Sequence, residues 1–87
     1  MKDKLIAGMI IQDSTEEYGI IVDMHSEKFI AYKDSFQTLS YFNDELIGEK
    51  YSIDMICELD DYVTLKDLYN IDRLDEKDKL TYIWSRY

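Results

Sequence analysis

The sequence predicts a mainly β domain: a small, curved antiparallel sheet or SH3-like barrel of five or six strands with one or two short helical turns. Apolar, β-branched runs recur along the chain, and polar turn residues separate them. The 87 residues contain no proline, no Gly/Ser linker and no repeat. We therefore expect one domain spanning residues 1–87.

The first third of the chain predicts a three-stranded meander over residues 5–33. The apolar run of residues 5–12 is followed by polar residues and then by the β-branched run of residues 18–24. His25, Ser26 and Glu27 predict a tight connection to a third strand over residues 28–33.

Residues 34–50 carry the weakest pattern. Gln37, Leu39 and Tyr41 share a period-two face, which is compatible with a fourth strand. Residues 43–48 then predict a helical turn that ends at Gly48.

Residues 51–59 carry the clearest strand pattern, because large apolar residues occupy every second position and predict one apolar face. These residues are Tyr51, Ile53, Met55, Cys57 and Leu59. Asp60 and Asp61 are expected to end the strand.

The last third predicts a short helix and a closing strand. Thr64 and Asp67 have the spacing of a helix-capping pair, which predicts a helix over residues 64–70. A charged turn over residues 75–79 leads to a strand over residues 80–87, with Leu80, Tyr82 and Trp84 expected on one side. An open α+β sheet with this helix packed on one face is the alternative architecture.

The net charge of −9 restricts the possible partners. Residues 44–78 alone sum to −8, and such a field repels nucleic acid and anionic lipid. We expect no direct nucleic-acid binding and no membrane association. A single cysteine and the lack of a signal-peptide pattern favour a soluble protein in a reducing cytoplasm.

The sequence predicts no catalytic centre, no metal site and no cofactor. His25 has no spacing that pairs it with a serine or with Cys57, and Cys57 lies in an apolar strand where a thiol acts as a small hydrophobe. Adjacent carboxylates lie in polar turns and are solvated alike, unlike the acid and base of an enzyme. We therefore expect a binding protein and not an enzyme.

Acidic and aromatic residues cluster after position 57 and predict a partner-binding surface. Tyrosine offers a large contact area and one hydroxyl, and carboxylates beside it suit a basic protein surface. The predicted partner-binding residues are Glu58, Asp60, Asp61, Tyr62, Asp67, Tyr69 and Asp72. The partner would be a host protein with a basic surface.

Four short segments resemble accessory proteins of phages and prophages of low-GC Gram-positive bacteria. Those proteins have a GM-V-V strand near the start, a Y-(D/S)-I-x-x-I strand in the middle and an L-x-x-I-W-x-R ending. Residues 5–11, 51–56 and 80–86 correspond to these three motifs, and residues 18–22 add a fourth similar segment. The resemblance implies a small phage-encoded protein in the cytoplasm of an infected bacterium.

Phage proteins of this kind often inhibit host defence, by mimicking nucleic acid, by binding nucleases or by sequestering nucleotide signals. The resemblance therefore implies an inhibitor that occludes a basic host surface. One alternative is an oligomeric sponge for a nucleotide signal, with Lys28, Lys33 and Arg86 at the phosphates. A structural or regulatory phage accessory is the second alternative.

Overall fold

Six antiparallel strands form one open, curved sheet, which confirms the predicted mainly β fold. The structure, a computed structural model, describes residues 2–59 and 80–87. The strands lie in the order β4-β3-β2-β1-β5-β6, so β4 and β6 are the edges among the described strands. Their bounds are β1 (Ile10–Asp13), β2 (Tyr18–Met24), β3 (Glu27–Ala31), β4 (Phe36–Thr38), β5 (Ile53–Leu59) and β6 (Leu80–Ser85). Two 3-10 turns, Lys2–Lys4 and Leu39–Tyr41, accompany them.

The predicted meander is confirmed as β1, β2 and β3. Strand β2 has the predicted bounds, and β3 pairs with it from Ala31 opposite Ile20 to Glu27 opposite Met24. Strand β3 starts at Glu27, which was predicted in the turn, and it ends two residues before the predicted residue 33. His25 and Ser26 both have positive φ angles, 51° and 67°. A two-residue hairpin loop with this geometry matches the right-handed twist of its strands.

The first strand starts later than the sequence predicts. Strand β1 begins at Ile10, whereas the predicted strand began at residue 5. Gly8 has a φ of +96°, a left-handed conformation that side chains rarely adopt and that turns the chain before β1. The apolar run of residues 5–12 is therefore divided. Its first part is a loop from which Leu5 packs into the core, and strand β1 begins only at Ile10.

The three central strands are buried on both faces. Neighbouring residues in a strand point to opposite faces, and both members of three apolar pairs are buried. These pairs are Ile10 and Ile11, Ile20 and Ile21, and Ile56 and Cys57. We call the side of Ile11, Ile21 and Ile56 the first face and the side of Ile10, Ile20 and Cys57 the second face.

A bulge in β5 makes the predicted single apolar face wrong. Gln12 lies opposite Met55, but Asp13 lies opposite Ile53, so Asp54 is an extra residue in β5. The extra residue shifts the alternation by one. Ile53 consequently packs in the core of the first face, whereas Met55 and Cys57 pack on the second.

A second bulge, in β6, makes the predicted shared face of Leu80, Tyr82 and Trp84 wrong. Ile56 lies opposite Trp84, but Cys57 lies opposite Tyr82, which leaves Ile83 as the extra residue. Directly opposite residues share a face, so Tyr82 lies on the second face and Trp84 on the first. Trp84 packs against the core there, and it does not share a side with Tyr82 as the period predicted.

Residues 39–46 cover the first face in place of the predicted strand and helix. Strand β4 ends at Thr38, and Leu39 and Phe42 turn into the core through the second 3-10 turn. Residues 43–48 form no helix: the Asn43 side chain accepts from the backbone N–H of Glu45 and Ile47, at 2.8 and 3.1 Å. An Asx turn of this kind competes with helical hydrogen bonding.

Gly48 lies against the Tyr41 ring and, contrary to the sequence prediction, does not end a helix. A Cβ atom at this position would meet the Tyr41 ring and the Tyr51 carbonyl oxygen. The Tyr41 and Tyr51 rings stack at 5.3 Å, and Phe42 meets each edge-on. The glycine is therefore required by close packing of this aromatic cluster.

Several predictions lie outside the described residues: the strand end at Asp60 and Asp61, the helix over residues 64–70 and the turn over residues 75–79. Leu59, the last residue of β5, pairs with Leu80, the first residue of β6. Over the described ranges, no helix has the length and apolar character needed to cross a membrane.

Candidate functional site

An open groove lies on the first face, where β5, β6 and the N-terminal loop meet. Its volume is about 340 Å³. Apolar side chains form its walls and one charge of each sign lies at its rim. The lining residues are Lys4, Met9, Ile56, Glu58, Ile83 and Trp84. We call this site the Trp84 groove.

The bulge in β6 creates the apolar wall of the groove. Ile83 is the extra residue and Trp84 lies opposite Ile56. The two side chains therefore lie next to each other on the first face, where a regular strand would have placed only one. Ile83 is 48% exposed, so much of this apolar surface is open to contact.

Backbone hydrogen bonds fix the opposite wall. The Gly8 N–H donates to the Ile21 carbonyl at 2.8 Å, and the Ile21 N–H donates to the Met9 carbonyl at 2.9 Å. The Lys28 ammonium adds a bond to the Leu5 carbonyl at 2.6 Å. Met9 therefore lies on a loop that is tied to β2 and β3, and the groove is preformed.

Arg86 fixes the end of β6. Its Nε lies 3.1 Å from Asp54 Oδ1, and its Nη2 donates to the carbonyls of Ile53 and Glu45, both at 2.8 Å. The guanidinium also lies 5.1 Å from the centre of the Trp84 ring, within cation–π range. Arg86 thus holds Trp84 at the groove and ties β6 to the start of β5.

The described surface is more acidic than the composition indicates. Ten carboxylates are exposed, whereas the exposed cations are three lysines, Lys4, Lys33 and Lys50. The other described cations are partly buried and donate to backbone carbonyls: Lys2 to Phe42, Lys28 to Leu5, and Arg86 as above. These cations keep their charge, but each already donates within the chain, so the charged groups open to contact by a partner are mostly carboxylates.

Comparison with known proteins adds no relative. No protein-family model, curated protein or solved structure matches this chain.

The structure places one of the predicted partner-binding residues at the groove. Glu58 is exposed on β5 and lies at the rim of the Trp84 groove. The remaining predicted residues lie outside the described ranges: Asp60, Asp61, Tyr62, Asp67, Tyr69 and Asp72.

The predicted phosphate-binding residues are not neighbours within one chain. Lys28 lies near the start of β3 and Lys33 follows its end, whereas the Arg86 guanidinium is bonded to Asp54 in β5, three strands from β3 in the sheet. The three residues would meet one ligand only across an interface between copies, as the oligomeric alternative requires.

A second groove, of about 390 Å³, has mixed charge. It lies between the β2–β3 turn and the second 3-10 turn, and it contains Lys2 and Lys28 together with Asp3, Glu27 and Asp44. The acids outnumber the ammonium groups there, so this groove does not favour an anionic ligand.

The groups that could perform chemistry are separated. His25 is exposed in the β2–β3 turn, whereas Cys57 is fully buried on the second face. Burial raises the pKa of the Cys57 thiol from 9.0 to about 11, which disfavours the nucleophilic thiolate. Over residues 2–59 and 80–87, no group of three or more His, Cys, Asp or Glu side chains is placed to hold a metal ion.

Asp13 is the one buried carboxylate within residues 2–58 and 81–87, and its surroundings are structural. Its Oδ1 accepts from the Thr15 N–H at 2.8 Å, the Thr15 hydroxyl at 2.6 Å and the Glu17 N–H at 3.1 Å. Its Oδ2 accepts from the Tyr32 hydroxyl at 3.1 Å. Burial, with the neighbouring Tyr51 and Asp13, holds the pKa of Tyr32 far above its usual value. Asp13 therefore organises the β1–β2 turn.

Proposed function

We propose that this protein is a non-enzymatic inhibitor that binds a basic surface of a host protein and occludes it. One observation carries the proposal: an open apolar groove has an exposed carboxylate at its rim and lies on a surface where exposed carboxylates outnumber exposed lysines by ten to three among the described residues. Such a site supplies both an anchor and a steering field.

The groove supplies binding free energy that surface charge alone does not supply. Exposed carboxylates mainly accelerate association, and nanomolar affinity requires about −12 kcal/mol of binding free energy. Most of that energy comes from a few buried aromatic or apolar contacts near the centre of an interface. Trp84 and Ile83 are such contacts. The groove rim carries both Lys4 and Glu58, so the preference for a cationic neighbour comes from Glu58 together with the excess of exposed carboxylates around it.

The resemblance to phage accessory proteins supports the setting of this function. A phage inhibitor acts in the cytoplasm of its host, and its stoichiometric targets include nucleases and other proteins that bind nucleic acid. A basic nucleic-acid-binding surface is complementary to a chain of net charge −9.

The test starts with the partner. A tagged copy expressed in a Gram-positive host should co-purify a protein with a basic surface, which mass spectrometry identifies. The association rate of the purified pair should fall by roughly tenfold or more from low to physiological salt, because carboxylates steer the encounter. An association rate that does not change with salt would refute the electrostatic part of the proposal.

A matched pair of charge reversals tests whether the partner binds at the Trp84 groove. Glu58→Lys and Asp34→Lys change the net charge equally, and both residues are exposed, but Asp34 lies between β3 and β4 on the far side of the sheet. Glu58→Lys should weaken partner binding at least about tenfold more than Asp34→Lys. Equal losses would show that the Trp84 groove is not the contact.

A further inference from the structure

Strand β6 has an outer edge that no described strand pairs. The sheet order ends at β6 within residues 2–59 and 80–87. A strand in this position presents a row of backbone N–H and C=O groups on its outer side. The Arg86 N–H donates to the Asp54 carbonyl at 2.8 Å, so by alternation the backbone groups of Ser85 point away from β5.

Its own residues lack most of the features by which natural edge strands avoid pairing. Proteins protect edge strands with charged residues, with proline or by keeping them short. Strand β6 has six residues, none of them charged and none proline. The bulge at Ile83 is its one irregularity.

The Trp84 groove borders this edge on the first face. Side chains of adjacent strands that lie opposite each other share a face, at about 5 Å spacing. An added strand would therefore place every second side chain on the first face, next to Ile83 and Trp84. One apolar side chain would contact the groove, and a residue two positions away would lie near Glu58.

We propose that β6 is a docking edge that binds an extended segment of the partner as an additional antiparallel strand. The segment carries a large apolar side chain that enters the Trp84 groove and a Lys or Arg that pairs with Glu58. Charge complementarity favours this occupant over a second copy, which would bring another net charge of −9 to the edge. This inference rests on the proposed function and specifies the partner's chemistry: a basic, extended segment.

Short synthetic peptides test the strand. The probe has Lys, Phe and Lys at alternate positions and Val at the others, and its affinity for the full chain is measured by titration calorimetry. A second peptide has the same side chains but N-methylated backbone amides on alternate residues, which removes the hydrogen bonds of a strand. A third peptide has Glu in place of Lys. We expect the first to bind and the other two to bind at least about tenfold more weakly.

A protein variant tests the same edge from the other side. Ser85→Pro removes an outward-pointing N–H without removing a donor to β5, and proline is tolerated on edge strands. Ser85→Ala keeps the N–H and serves as the control. Peptide affinity should fall about tenfold in Ser85→Pro and remain unchanged in Ser85→Ala, while circular dichroism shows both folded.

The outcomes separate this inference from the proposed function. Equal binding of the methylated peptide, or no peptide binding while the basic protein partner still binds, overturns strand addition and leaves the proposed function standing. A dimer in light scattering that Ser85→Pro abolishes would identify a second copy as the occupant and overturn the inference. If neither the peptide nor a basic protein binds, the proposed function fails as well.

Discussion

The two edges of the sheet are built differently. Strand β4 has three residues, and the chain then leaves the edge through the second 3-10 turn. Thr38 caps this turn: its Oγ1 accepts from the Ser40 N–H at 3.3 Å. Strand β6 has six residues and is held at its end by Arg86. One edge is protected by being short, and the other is long, apolar and fixed in place.

One aromatic residue distinguishes the two edges. Phe36 in β4 is 64% exposed and Tyr82 in β6 is 56% exposed, whereas Trp84 in β6 packs against the core of the first face. Trp84 therefore anchors β6 to the core of the first face, although Tyr82 and Ile83 beside it remain exposed. An edge strand with this anchoring can present a stable surface to a partner.

The largest expected effect is at Trp84. Trp84→Ala should lower the free energy of unfolding by about 3 kcal/mol, because it leaves a gap over Ile56 and removes the ring beneath Arg86. Urea unfolding followed by far-UV circular dichroism measures it. A loss below about 1 kcal/mol would mean that β6 is no better anchored than β4.

The clamp at the end of β6 should have the next largest effect. Arg86→Ala removes a charged group that bonds to Asp54, Ile53 and Glu45, and the expected loss is about 2 kcal/mol. Arg86→Lys keeps the charge without the forked geometry and should restore only part of the loss. Full restoration by lysine would show that charge alone holds the strand.

Cys57, which lies opposite Tyr82 of β6, makes stability depend on alkaline pH. The thiol ionises near 9.0 in the unfolded chain but near 11 when folded, because burial raises its pKa. Above pH 9 the unfolded chain releases this proton first, so stability should fall by about 1 kcal/mol per pH unit until pH 11. Cys57→Ala should show a shallower decline over that range, and identical slopes would contradict burial of the thiol.

The smallest effect is expected at the other edge. Phe36→Ala truncates a ring that is mostly in solvent, and the free energy of unfolding should change by no more than about 0.5 kcal/mol. A loss comparable to that of Trp84→Ala, measured in the same way, would remove the distinction between the edges.

The sequence predicts where the strands lie better than it predicts which side chains share a face of the sheet. Strand β2 matches its predicted bounds because its turn residues are local signals. The bulge at Asp54 has no such signal and the bulge at Ile83 has only a weak one, since a bulge is fixed by pairing with another strand. Each bulge inverts every later side chain, so one extra residue is enough to invalidate a period-two prediction.

The candidate site was predictable only in part. Glu58 was expected at the partner surface, but the apolar groove beside it depends on Met9, which comes from the other end of the chain. A weak local signal was present: Ile83 and Trp84 are consecutive large apolar residues in an otherwise alternating strand, which is typical of a bulge or of burial on both faces.

Trp84 is the single tryptophan of the chain, and it lies at the groove rather than deep in the core. Its indole emission therefore reports on the environment of this one site without a label. Binding of a ligand in the groove should shift that emission to shorter wavelength, because it removes water from the ring.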